Sequence, residues 1–367
     1  MKVGIIDADL LGRKRHRFPN LCCMKISSYH KKLGDTVELL MEYDEVQKYD
    51  QVYIAKVFTD TIVPLGVLEL PNVIYGGTGF FFDKAKGLPQ EIEHSFPDYH
   101  LYDQWIEQEI SLGKKRSEFQ WYLDYSIGYM TRGCFRKCSF CVNQKYNRVF
   151  IASPIDEFTD NARKYICLLD DNFLGHPQWE QMLEQLNLSG HRFQFKQGLD
   201  ERLITDYSAQ LLSESNLVGD LIFAFDNIED QEVIKEKLKI LRKYMPTKTM
   251  KFYVFCGFDR EQKYTQEFFK QDLLDTFERI RILMGHKCLP YIMRHKDYLM
   301  SPFEGTYVNL ARWCNQPGIF KKKSYEEFLK LNKEGSACRR YSKELLEKYP
   351  EEFSEYYKMK WVSSWDT

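Results

Sequence analysis

The sequence predicts an α/β protein in three parts: a Rossmann-like open parallel sheet over residues 1–118, a partial (β/α)6 TIM-type barrel over 119–315, and a helical C-terminal extension over 316–367. Short apolar runs alternate with amphipathic stretches along most of the chain, as parallel strands joined by crossover helices do. Six such runs fall in the second part, too few for a full eight-fold barrel. From Lys321 onward the chain turns charged, helical and aromatic.

In order, the first part reads as the strand "KVGIID", a helix within Pro19–Leu33, then "TVELL", "YDQVYIAKVF" and "PNVIYGG". The polar segment "SLGKKRSEF", Ser111–Phe119, lacks a strong period and is expected to be a linker. The second part opens on "YSIGYMT" and continues with "KYICLLDDN", "RFQFKQGLD", "DLIFAFDN", "MKFYVFCGF" and "HKCLPYIMRH". Helices are expected between them, with Thr205 as an N-cap and Asp230–Arg242 as an amphipathic segment. In such a barrel the polar residues at the C-terminal strand ends face the active site. Here these are Asp170, Asp171 and Asn172, Gln197 with Asp200, Asp226 with Asn227, Gly257 with Asp259, and Arg294.

Composition narrows the class. The 367 residues are 44% hydrophobic and 29% charged with a formal net charge of −1, so no global field argues for nucleic acid or an anionic membrane. No apolar run approaches a membrane span, and the N-terminal basic cluster follows the apolar run instead of preceding it, so a cytoplasmic protein is expected. In a reducing compartment ten cysteines need not be disulfides. Cys22 and Cys23 are adjacent in an expected helix, and only "GCFRKCSFC" clusters three thiols: Cys134, Cys138 and Cys141. Closed metal sites generally recruit a fourth ligand, and the next candidates, Cys167 and His176, lie on other elements. Three thiolates can instead hold three irons of a 4Fe-4S cube and leave the fourth open.

The motif Cys134-x-x-x-Cys138-x-Phe140-Cys141, at the end of a first barrel strand, resembles the signature of the radical S-adenosylmethionine (SAM) superfamily. The resemblance covers about residues 124–315. It implies a 4Fe-4S cluster whose open iron is chelated by SAM, and reductive cleavage of SAM to a 5'-deoxyadenosyl radical that modifies a substrate the sequence does not name. It also implies an electron donor such as flavodoxin or ferredoxin. Phe140 is implied near the adenine, or it packs under the loop as a core aromatic. Asp170, Asp171 and Asn172 stand where the family has a glycine-glycine-acid stretch for the SAM amino group; those glycines are absent here, and the acidic pair alternatively caps the following helix. Gln197 lies at the third strand's end, Arg202 meets the SAM carboxylate or makes a salt bridge, and Gly257 is implied at the adenine. No catalytic residue is assigned.

The order of elements before the motif, with the glycine turn at Gly76, Gly77 and Gly79, resembles the cobalamin-binding-like domain of one branch of that superfamily. The resemblance implies methyl transfer with cobalamin, or a degenerate domain that binds no corrin and shapes the substrate pocket. Where a histidine-ligated domain has Asp-x-His-x-x-Gly, this chain has Asp7-x-Asp9-x-x-Gly12, and carboxylate is a poor exchange for imidazole on cobalt. The run Arg13–Arg17 meets a phosphate-bearing ligand or is a solvated loop, which leaves nucleic acid open as a partner. The competing class is a non-enzymatic zinc or nucleic-acid-binding module built on the three thiols and a distant ligand.

Overall fold

A computed structural model describes residues 1–362. It is an α/β structure whose chain forms two compact units, Met1–Lys196 and the chain from Gln197 onward.

The first unit begins with four parallel strands, β1 (Lys2–Asp7), β2 (Thr36–Leu39), β3 (Gln51–Ala55) and β4 (Val73–Gly76), in the order β2-β1-β3-β4. The second to sixth residues of β1 are all buried, which is why its sequence reads as a continuous apolar run. Ile5 points into a core with Cys23, Met24 and Ile26 of the helix Leu21–Lys32, while Ile6 packs into a second core with Val52 and Ile54. That helix starts where the Asn20 side chain accepts the N–H groups of Cys22 and Cys23. It ends on His30, Lys31 and Lys32, which suits the negative end of its dipole.

The expected linker is anchored at its far end. Phe119, at the end of the 3-10 turn Arg116–Phe119, is fully buried and meets Trp105 edge-on with ring centroids 5.3 Å apart. Periodicity misses this because one buried aromatic in a polar segment sets no repeat.

The same unit holds a second parallel sheet, β5-β8-β9, from β5 (Tyr125–Gly128), β8 (Tyr165–Leu168) and β9 (Arg192–Phe195). Between β5 and β8 the two-residue strands β6 (Thr131–Arg132) and β7 (Phe150–Ile151) pair antiparallel. Gly128 ends β5 where a Cβ would lie 2.2 Å from the Phe158 ring, so only glycine lets those chains meet.

In the second unit, β10 (Leu221–Ala224), β11 (Met250–Cys256) and β12 (Leu289–Arg294) form a parallel sheet in that order. Pro290 sits in the edge strand β12, a position that tolerates its missing N–H. Thr205 caps the helix Asp206–Glu214 as expected, in a capping box with Ser208. The C-terminal helices are part of this unit's core: Tyr325, Phe353 and Tyr357 are buried and ring Phe277 of the helix Gln266–Gly285.

Candidate functional site

The three thiols lie on one excursion of the chain, residues 133–149, which leaves β6 and returns to β7. The pairs Thr131↔Ile151 and Arg132↔Phe150 close its base. Gly133 starts it with φ +85°, and a Cβ there would lie 2.5 Å from the Arg148 carbonyl oxygen. Left-handed backbone and close approach together call for glycine. Within the loop, Lys137 Nζ donates to the Gln144 carbonyl (2.7 Å) and to Asn147 Oδ1 (2.5 Å), and Cys141 N–H donates to the Cys138 carbonyl (3.0 Å). These staples hold a segment that has little regular secondary structure.

Two sulfurs accept hydrogen bonds. Cys134 Sγ takes the Arg136 N–H (3.3 Å) and Asn172 Nδ2 (3.4 Å), and Cys141 Sγ takes the Asn143 N–H (3.4 Å). Hydrogen bonds to the sulfurs are among the features that tune iron-sulfur sites. All three cysteines are half-buried. Burial pushes the Cys141 thiol up, and the nearby Cys138, Asp171 and Cys134 add to the rise against the Asn143 N–H.

As they stand, no three His, Cys, Asp or Glu side chains among the described residues are grouped to hold a metal ion. The fit therefore rests on donor chemistry: three thiols between Gly133 and Asn143, and no histidine or carboxylate in that stretch. That set suits the thiolate ligation of an iron-sulfur cluster. Of the two distant candidates for a fourth ligand, Cys167 is fully buried within β8 and packs with Tyr125 and Ile127, its thiol pushed up to about 12 by burial. His176 Nδ1 accepts the Gln178 N–H (3.1 Å).

The acidic residues after β8 turn back onto this loop. Asp170 is 2% exposed and accepts from Met130 N–H (3.2 Å), Thr131 N–H (2.6 Å) and Thr131 Oγ1 (2.7 Å). Burial pushes it up to about 7 despite those donors. Asp171 Oδ2 accepts the Gly133 N–H (2.8 Å) and its Oδ1 accepts Asn143 Nδ2 (2.8 Å). Asp170 thus holds the chain at the loop's base, and Asp171 and Asn172 brace the cysteine loop itself. Phe140 is half-buried on the loop.

Sequence reasoning missed a charged network at the loop's base. Arg132 donates to Tyr129 OH (2.9 Å), Tyr129 OH donates to Glu93, and Lys25 Nζ reaches Glu93 Oε1 (3.0 Å) from a side chain 5% exposed. Burial opposes the charge of Arg132, yet Tyr129, Asp171, Tyr146 and Glu93 hold its pKa above the ordinary value. Gly133, directly before the first cysteine, was the available signal; Lys25 and Glu93 gave none.

Arg202 pairs with Asp200 (2.8 Å) and Asp230 (3.3 Å), the salt-bridge alternative. Gln197 is exposed. Gly257 has φ +78° and donates its N–H to Asp272 Oδ2 (2.8 Å). In the first sheet, Gly77 has φ +107° and lies where a Cβ would be 2.3 Å from the Lys56 carbonyl oxygen, whereas a Cβ on Gly76 would meet open space. Gly77 thus serves a close approach of chain to chain. Asp9 is 1% exposed and accepts the Val57 N–H (2.7 Å) and the Thr61 hydroxyl. It is enclosed by the loop after β3, and it does not fit the place of an axial cobalt ligand. Of the basic run, Arg13 pairs with Asp60 (2.6 Å) and lies over the Phe58 ring. A cleft of about 340 Å³ lined by Ile155, Thr159, Ser189 and His191 lies just before β8 and β9, the strand ends opposite the cysteine loop.

No family model and no curated protein matches the chain. Among solved structures it is similar to the cobalamin-dependent S-adenosylmethionine radical enzyme OxsB with aqua-cobalamin and S-adenosylmethionine bound, at 14% identity and TM-score 0.47 over 96% of this chain and 61% of that one. With aqua-cobalamin alone the values are 15%, 0.37, 95% and 56%, and for the apo, SeMet-labelled form 14%, 0.37, 95% and 61%. The chain thus spans roughly three fifths of the length of those proteins. Likeness at this level assigns neither family nor chemistry.

Proposed function

We propose that the chain is a radical SAM enzyme in which Cys134, Cys138 and Cys141 hold a 4Fe-4S cluster with one iron left for SAM. The observation that carries this reading is the loop itself. It brings three thiols, with N–H groups directed at two of the sulfurs, to the C-terminal end of a strand in a parallel sheet, the end at which α/β folds gather ligands.

When bound, such a cluster supplies the electron that splits SAM into methionine and a 5'-deoxyadenosyl radical. The chain's own part is to position and to shield. Gly133 gives the loop its entry turn, Lys137 folds it back on itself, Asp170 holds β6 at its base, and the Asp171 carboxylate ties its entry to the segment after β8. Phe140, on the same loop, offers a ring face for the adenine. A small low-potential protein such as a flavodoxin or ferredoxin is the proposed electron donor. Methyl transfer would need a corrin on the first sheet, and Asp9 offers it no ligand there, so no step is assigned to one.

The test is spectroscopic. Anaerobically reconstituted protein should contain iron and sulfide near four of each per chain. The reduced cluster should give an electron paramagnetic resonance signal that changes shape when SAM is added. A colourless, air-stable protein holding zinc contradicts the reading.

A further inference from the structure

Asp171 touches the cysteine loop at two places, and these places bracket all three thiols. Its Oδ2 accepts the Gly133 N–H one residue before Cys134, and its Oδ1 accepts Asn143 Nδ2 two residues after Cys141, each at 2.8 Å. Both bonds run to a carboxylate, the stronger kind of hydrogen bond. The β6–β7 pairs close the base of the loop outside these points, and the Lys137 bonds and the Cys141-to-Cys138 bond close shorter segments within it. The carboxylate is itself fixed, since Asp170 beside it is buried and engaged by Met130 and Thr131.

We infer that Asp171 is a positioning residue, a clamp that holds the cysteine loop closed as a ring before any cluster arrives and sets how firmly a cluster is kept. The second half of this statement rests on the function proposed above, and the first half does not. Two acceptor oxygens facing two donors explain why an acid stands here. Alanine loses both bonds. Asparagine can keep both: its carbonyl accepts the Gly133 N–H, and its amide donates to an Asn143 side chain turned over to present its oxygen.

The experiment compares wild type with Asp171→Ala, Asp171→Asn and Asn143→Ala. Amide hydrogen exchange is measured on peptides covering 133–143 in cluster-free full-length protein. Iron loss to EDTA is measured after anaerobic reconstitution with iron and sulfide. The clamp predicts exchange faster by roughly tenfold or more in Asp171→Ala, the effect of losing a hydrogen bond to a charged group. Exchange in β5 and β8 should stay unchanged, Asp171→Asn should lie near wild type, and Asn143→Ala should loosen the loop by releasing its far end alone. Iron should leave Asp171→Ala faster than wild type, with Asp171→Asn restoring retention. Should Asp171→Ala fail to fold, Asn143→Ala carries the test, because the Asn143 side chain meets the clamp through its Nδ2–Oδ1 bond. Wild-type exchange in both Asp171→Ala and Asn143→Ala overturns the clamp. A wild-type protein that takes up no iron while Asp171→Ala loosens the loop overturns the proposed function and leaves the clamp standing.

Discussion

Two residues show how the local chemistry can be measured. Gly133 combines φ +85° with a Cβ position 2.5 Å from the Arg148 carbonyl oxygen, so Gly133→Ala should cost about 1–3 kcal/mol and disorder the loop entry. Thermal unfolding of the two proteins checks the cost. Glu201 is 3% exposed and accepts the Ala224 N–H (3.3 Å), and burial pushes its carboxyl up to about 8. The folded chain therefore keeps that proton where the unfolded chain releases it. Stability from this group is complete at low pH and is lost as pH rises through about 8. Asp7 and Asp170 act the same way but only up to about 7. Above pH 7 the decline belongs mainly to Glu201, and Glu201→Gln should flatten Tm against pH there. An unchanged slope would mean that Glu201 ionises normally.

At the scale of elements, Arg279 holds strand ends together. It is 2% exposed, and one guanidinium nitrogen donates to the Phe225, Asp226 and Phe255 carbonyls at 2.8–2.9 Å, at the C-terminal ends of β10 and β11. Arg279→Met should leave those acceptors unsatisfied and cost about 3–5 kcal/mol, read from urea unfolding. The strands it joins were legible in the sequence because β-branched and aromatic runs such as "DLIFAFDN" and "MKFYVFCGF" stand between helical stretches. The cap at Thr205 was legible because capping is local. The brace on the cysteine loop was not. Asp171 and Asn143 are 28 residues apart, and no local pattern marks which of two adjacent acids turns toward which donor. The packing of the glycine turn was hidden for a related reason: a sequence shows that Gly77 is permissive, but only the structure shows that a Cβ there would meet the Lys56 carbonyl. For Arg202 the sequence left a ligand fork and a salt bridge open, and the partners Asp200 and Asp230 are visible only in the fold.

At the scale of the molecule, the expected alternation of strands and helices is present among the described residues as three parallel sheets, two in the unit that carries the thiols and one in the unit from Gln197 onward. Among the described residues no helix is long and apolar enough to cross a membrane. The cysteine loop is the part of this architecture with chemistry of its own, and the account stands on its three thiols acting together. The direct test is product formation. Anaerobically reconstituted protein given dithionite and SAM should release 5'-deoxyadenosine, and Cys138→Ala should lose both the iron-sulfur absorption and the product. Release of 5'-deoxyadenosine at the wild-type rate from Cys138→Ala would contradict the account, as would its absence from wild-type protein that carries a full cluster.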